Sequence, residues 1–128
     1  MDDSQPQTPW HLWAVGLLAM FLHGWGTMFG AWFLFTGGPS TAVDFLWLPA
    51  LAAGTFGGIA LLLRRREARS LFVVSAAIGL ASLGFLFMPT SSDQPGPMIV
   101  AVNGLMLAAG AGLLLLYARA MVRRGVLR

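Results

Sequence analysis

The sequence contains no cysteine and no lysine, and only 10% of its residues are charged. Without cysteine, disulfide bonds, iron–sulfur clusters and thiolate metal sites are excluded within this chain. So little charge cannot cover the surface of a water-soluble domain of 128 residues, of which 57% are hydrophobic. The composition is therefore typical of an integral membrane protein.

The sequence motifs of soluble enzymes are missing as well. The chain has only two histidines, and it contains no His-x-x-x-His pair, no Gly-x-Ser-x-Gly and no phosphate-binding loop. These patterns would mark a zinc site, an esterase nucleophile and a nucleotide site. We therefore expect no catalytic residues, no metal site and no cofactor.

Four apolar segments are long enough to cross a bilayer, which takes about 20 residues in a helix. Helices are expected because open strands would leave backbone groups without hydrogen-bond partners in lipid. The sequence thus predicts an all-α integral membrane four-helix bundle, with residues 1–128 forming one transmembrane domain. The predicted spans are about 10–36, 41–63, 70–88 and 98–118.

The second span contains a proline, Pro49, at an interior position. Thr41 and Asp44 have the spacing of a capping box, which predicts a helix that begins before the proline. The helix is then expected to continue through Pro49 with a kink. A start at Pro49 itself would leave a helix of about 22 Å, too short to cross the hydrocarbon.

All eight basic residues are arginines, and they fall in two clusters beside apolar segments. This pattern indicates membrane topology and not nucleic-acid binding. Because cytoplasmic loops are enriched in basic residues, the middle link and both termini are predicted to lie in the cytoplasm. The arginines are Arg64, Arg65, Arg66 and Arg69 in and beside the middle link, and Arg119, Arg123, Arg124 and Arg128 near the C-terminus.

Small residues recur four positions apart in every span. Membrane helices associate by close packing, and this spacing lets two backbones approach each other. The pattern therefore predicts a compact bundle. The stripes are Gly26/Gly30, Gly54/Gly58, Ala77/Ala81 and Gly104/Ala108/Gly112.

His23 lies near the middle of the first span, in the stretch "HGWGTMFGAW" (23–32). The favoured interpretation is a neutral imidazole bonded to a serine, a threonine or a backbone carbonyl. The alternatives are an axial ligand to a haem or other pigment, and a proton carrier. His11 lies about 18 Å away along a helix and about 120° around it, so the two histidines cannot bind one metal.

Two further polar residues belong to the same half of the predicted bundle as His23. Asp44 is expected near the outer interface, and Asn103 is expected to be buried and to bridge two helices. If these three side chains converged, they would line a small polar cavity. The absence of any carboxylate deep in a span counts against a proton-coupled exporter of the small multidrug-resistance type.

Three segments resemble a group of small proteobacterial membrane proteins of uncharacterised function. They are "LLLLYARAMVRRGVLR" (113–128), "PWHLWAVGLLA" (9–19) and "GGIALLLRRR" (57–66). The chain departs from that group in its first outer link, which is shorter and less polar. The resemblance implies a four-helix protein of the inner membrane and no particular activity.

The function expected from these features is that of a small non-catalytic protein of the bacterial inner membrane. It would be an accessory or structural subunit of a larger assembly, in contact with the bilayer and with other subunits or copies of itself. One alternative is a small-solute transporter or channel that acts as a homo-oligomer. Another is a haem- or pigment-binding subunit that uses His23.

Overall fold

Four helices make up most of the chain in the computed structural model, which describes residues 9–36, 42–87 and 96–127. Within these residues the protein is all-helical, and the four helices are long and apolar enough to cross a membrane. The prediction of an all-α protein with four such helices is therefore confirmed. They are α1 (Trp10–Phe35), α2 (Ala42–Leu62), α3 (Ala68–Ser82), which a 3₁₀ segment (Leu83–Phe87) extends, and α4 (Pro97–Arg123).

The second helix, α2, is continuous on both sides of Pro49. The structure thus agrees with the predicted start before the proline. Asp44 lies in the first turn, where a negative charge interacts favourably with the helix dipole. Thr41, the other half of the predicted capping box, lies outside the described residues.

The fourth helix, α4, continues beyond its predicted end at about residue 118, as far as Arg123. After residue 118 no glycine or proline occurs before Gly125, which has a φ of 70°. The N–H of Gly125 donates to the carbonyl of Val122, and the N–H of Val126 donates to that of Met121, both at 3.0 Å. This is the Schellman arrangement, and it turns the chain back toward the core.

Consecutive helices pack side by side in opposite directions, α1 on α2, α2 on α3 and α3 on α4. Glycines allow the closest approaches. An added Cβ at Gly58 would lie 3.0 Å from the backbone nitrogen of Met20, and one at Gly79 would lie 3.0 Å from that of Ala108. Added Cβ atoms at Gly26, Gly30 and Gly104 would contact Leu51, Leu48 and Leu83, respectively.

One predicted stripe, Ala77/Ala81, is wrong, and the stripe on α4 is wrong at Gly112. Ala77 and Ala81 are exposed, because the face of α3 that packs inward carries Ser75, Gly79 and Ser82 instead. Gly79 and Ala77 are two positions apart, which turns them about 200° from each other around the helix. At Gly112 of α4, an added Cβ would meet no atom of another packed element within 4 Å in the described part of the chain.

The antiparallel arrangement collects the beginning of α1, the end of α2, the beginning of α3 and the end of α4 at one end of the bundle. We call it the arginine end, because all the described arginines lie there. A buried apolar cluster is also at this end. Its members include Leu12, Leu61, Phe72, Met121 and Leu127, all at most 2% exposed.

Candidate ligand cavity between three helices

A cavity of about 340 Å³ lies between α1, α2 and α4, on the side of the bundle's middle away from the arginine end. Binding sites for small molecules commonly have volumes of about 300–1,000 Å³ and mostly apolar walls with a few polar groups. Both features are present here. The lining residues are Leu22, His23, Gly26, Trp47, Leu51, Asn103, Met106, Leu107 and Gly110.

His23 is buried, with 5% of its surface exposed. Its Nδ1 lies 3.0 Å from the carbonyl oxygen of Ala19, one turn earlier in α1. Since a carbonyl only accepts, Nδ1 carries the proton and donates it. In the neutral ring, Nε2 then keeps its lone pair as an acceptor. The ring rests directly on α2 at Gly54, where any side chain would overlap it.

Trp47 brings an indole from the first half of α2 to the cavity. Its Nε1 is buried and has no hydrogen-bond partner among the described residues. The indole N–H can only donate, so an acceptor must come from elsewhere if this group is to be satisfied. A buried donor without a partner costs about 1–3 kcal/mol, which makes Trp47 the unusual member of the lining.

Asn103 lies on α4 and also lines the cavity. It was predicted to be buried and to bridge two helices, and both parts of that prediction are wrong. The residue is exposed, and its amide nitrogen donates to the carbonyl of Ile99 on its own helix, at 3.0 Å. The amide thus finds its hydrogen-bond partner on its own helix, where a partner on a neighbouring helix was expected.

Of the three polar residues predicted to converge, the structure brings together His23 and Asn103. Asp44 is not among the lining residues, because it lies in the first turn of α2, nearly one turn before Trp47. Trp47, not Asp44, is the third residue with a polar group in the lining. The sequence did not single out this tryptophan, although its spacing of four residues from Leu51 puts both on one face of α2.

A pair of threonines joins α1 to α2 beside the cavity, and sequence analysis missed it. The hydroxyl oxygens of Thr27 and Thr55 are 3.1 Å apart. Each hydroxyl also lies within 2.9 Å of a carbonyl one turn earlier in its own helix, that of His23 for Thr27 and that of Leu51 for Thr55. Each hydroxyl has one proton, so the two threonines supply two donors for these three contacts.

A second polar contact joins α1 to α4 at the arginine end. The Nδ1 of His11 lies 2.6 Å from the hydroxyl of Tyr117, and the two rings meet edge-on with centroids 5.8 Å apart. His11 precedes His23 by about 18 Å along α1. The first and last helices are therefore linked at one end, and the cavity lies between them farther along.

The predicted topology residues lie together. The link between α2 and α3 contains Arg64, Arg65 and Arg66, and the first turn of α3 contains Arg69. Arg119 and Arg123 are on α4, and Arg124 is the C-cap of that helix. Arg128 lies outside the described residues. The ion pair between Arg65 and Glu67, at 3.3 Å, is exposed and contributes little to stability.

The polar groups of the cavity lining are ones that form hydrogen bonds. An imidazole, an indole and an amide meet there among apolar side chains. In the described part of the chain, no group of three or more histidine, aspartate or glutamate side chains is placed to hold a metal ion. The lining can therefore hold a small molecule that carries a hydrogen-bond acceptor.

Comparison with known proteins finds no family, no curated protein and no solved structure that matches this chain. The resemblance of its three segments to small proteobacterial membrane proteins remains an expectation. Functional conclusions must therefore come from the cavity and from the distribution of charge.

Proposed function

We propose that this chain is a multi-pass protein of the bacterial inner membrane, with the arginine end in the cytoplasm. The outward faces of the helices support membrane residence. Phe21, Phe56 and Leu113 are each at least 60% exposed, and such a continuous apolar surface is unfavourable in water. Both arginine clusters lie at one end, as the positive-inside rule requires of four spans.

Within that membrane, the protein acts as a non-catalytic accessory protein that binds a small molecule in the cavity. The observation that carries this proposal is the composition of the cavity wall, which is mostly apolar and includes the buried imidazole of His23 and the amide of Asn103. A mostly apolar molecule with a carbonyl or hydroxyl group would match such a lining. The amide nitrogen of Asn103 can donate to the carbonyl oxygen of such a molecule, and Nε2 of His23 can accept from a hydroxyl.

Two glycines on α4 offer a matched test of the cavity. Gly110 lines it, whereas Gly112, two residues later, does not. At both positions an added Cβ would meet no neighbouring atom of the described residues within 4 Å. Gly110→Leu should therefore fill the cavity without a backbone clash, and Gly112→Leu should add the same side chain elsewhere.

The measurement is native mass spectrometry of each protein released from mild detergent, with organic extraction to identify what is bound. We expect wild type and Gly112→Leu to carry the same small molecule, and Gly110→Leu to lose it. If all three proteins carried the same molecule, or if wild type carried none, the cavity would not be a binding site.

A second candidate function, the subunit of a larger membrane assembly, is favoured by the outer face of α1. A groove of about 460 Å³ lies there beside Gly24. Next to it, the rings of Phe21, Trp25 and Phe29 stack in one row, with centroids 6.4 and 6.2 Å apart. This row of rings and the groove beside Gly24 could pack closely against another helix, as helix association in lipid requires.

The size of the complex in mild detergent tests this second candidate. Trp25→Ala should reduce the size or the yield of the assembly, and Phe56→Ala, an equally exposed position on α2, should not. If the two variants behaved alike, the row of rings would be a lipid-facing surface.

A further inference from the structure

Three arginines line one groove between α3 and α4 at the arginine end. Arg66 comes from the link before α3, Arg69 from the first turn of α3 and Arg119 from α4, around a volume of about 440 Å³. The rest of the lining is mainly apolar and includes Val73, Val74 and Leu115. The groove therefore combines three positive charges with an apolar surface.

The charges and the apolar side chains occupy different depths. Val73 follows Arg69 by four residues on α3, and Leu115 precedes Arg119 by four residues on α4. Residues four apart lie on the same face of a helix, about 6 Å apart along its axis. On both helices, the arginine therefore lies nearer the arginine end, and the aliphatic side chain lies nearer the middle of the bundle.

Little negative charge is available to these arginines within the chain. Among residues 9–36, 42–87 and 96–127, only Asp44 and Glu67 are acidic. Asp44 lies at the opposite end of the bundle, and Glu67 forms its ion pair with Arg65. The described chain therefore leaves the groove strongly positive.

We infer that this groove binds one anionic phospholipid, with its phosphate between the three guanidinium groups. One acyl chain would lie along Val73, Val74 and Leu115. Arginine suits this role because its planar group forms paired hydrogen bonds with phosphate oxygens. Basic pockets between membrane helices on the cytoplasmic side bind anionic headgroups in this way. This inference rests on the proposed membrane location.

A matched pair of double variants tests the site. Arg69→Gln with Arg119→Gln removes two charges from the groove, and Arg123→Gln with Arg124→Gln removes two exposed charges that do not line it. Both proteins have the same net charge. The purified proteins are titrated with phosphatidylglycerol or phosphatidylcholine of identical acyl chains, and bound lipid is measured by native mass spectrometry.

Wild type should prefer phosphatidylglycerol. Each basic residue near a lipid surface contributes about fivefold to binding, so the groove variant should bind it about 25-fold more weakly. The Arg123/Arg124 variant should stay close to wild type. Equal losses in the two variants would show a response to overall charge and would overturn the inference, as would a lack of preference in wild type.

A competition experiment distinguishes binding of a lipid from binding of a free phosphate. Glycerophosphoglycerol, the headgroup without acyl chains, is added in excess to the loaded protein. We expect it not to displace the lipid, because it cannot occupy the apolar part of the groove. Displacement would assign the groove to soluble phosphates and overturn the lipid assignment.

Alkaline carbonate extraction of cell membranes distinguishes this inference from the proposed location. If wild type stays in the membrane but shows no preference for anionic lipid, only the lipid site fails. If carbonate releases it, the membrane location fails as well.

Discussion

The imidazole ring of His23 occupies the space that a Cβ atom at Gly54 would fill. Glycine at this position lets the ring lie between α1 and α2 with its Nδ1–H bonded to the carbonyl of Ala19. A histidine in the middle of α1 and a glycine in the middle of α2 are therefore one packing unit. The ring of His23 also forms part of the cavity wall.

This unit predicts that Gly54→Ala is destabilising. The new methyl group would overlap the ring of His23, and overpacking of this kind costs about 1–3 kcal/mol. We expect a lower thermal unfolding temperature in detergent. Gly112→Ala is the control, because its methyl group would enter open space.

A double-mutant cycle shows whether the ring is the cause. In a His23→Ala background, Gly54→Ala should cost much less than it does in wild type, because the overlapping ring is gone. An equal cost in both backgrounds would contradict the proposed contact.

The favoured interpretation of His23, a neutral imidazole bonded within the protein, makes a spectroscopic prediction. Purified wild type should be colourless. His23→Gln should be mild, because an amide can also donate to the Ala19 carbonyl, and His23→Leu should cost at most about 1–2 kcal/mol. A Soret band in wild type that disappears in His23→Gln would establish His23 as a haem ligand instead.

The helices could be predicted from the sequence because apolar length alone defines them, and Pro49 did not interrupt α2. The contacts between helices were harder to predict. Ala77 and Gly79 both belong to small-residue patterns on α3, but only Gly79 packs against α4. A pattern of small residues gives the spacing along a helix but not its rotation, which depends on all its neighbours together.

The contact between His11 and Tyr117 predicts a measurable link between the first and last helices. Tyr117→Phe keeps the ring but removes the hydroxyl, so it should lower stability by about 0.5–1.5 kcal/mol, the usual value of one hydrogen bond. Thermal unfolding in detergent measures this loss. In a His11→Phe background, Tyr117→Phe should have almost no effect, and an unchanged loss there would mean that the hydroxyl bonds elsewhere.

Arg64, just after the end of α2, gives a prediction of increased stability. Arg64 has a φ of 58°, a left-handed conformation that costs a residue with a side chain about 1–2 kcal/mol. Arg64→Gly should therefore raise the unfolding temperature. Arg65→Gly removes the same charge at a neighbouring position without positive φ, and it should give no gain. Similar effects of the two variants would point to charge as the cause.

The cavity shows what sequence reasoning misses about a site. His23 and Asn103 were found because polar residues are rare in these spans, and rarity is visible in a sequence. Trp47 was not found, because an indole near a helix end is common in membrane proteins and its N–H usually has a partner. That it has no partner among the described residues depends on how α2 packs, which the sequence does not show.

The central claim is a membrane-crossing bundle with its arginine end in the cytoplasm, and single-cysteine labelling tests it most directly. The chain has no cysteine, so Glu67→Cys and Gly96→Cys each introduce one thiol, at opposite ends of the bundle and at exposed positions. A membrane-impermeant maleimide should label Gly96→Cys in intact cells, and Glu67→Cys only after permeabilisation. Labelling of Glu67→Cys in intact cells, or equal labelling of both variants, would contradict the account.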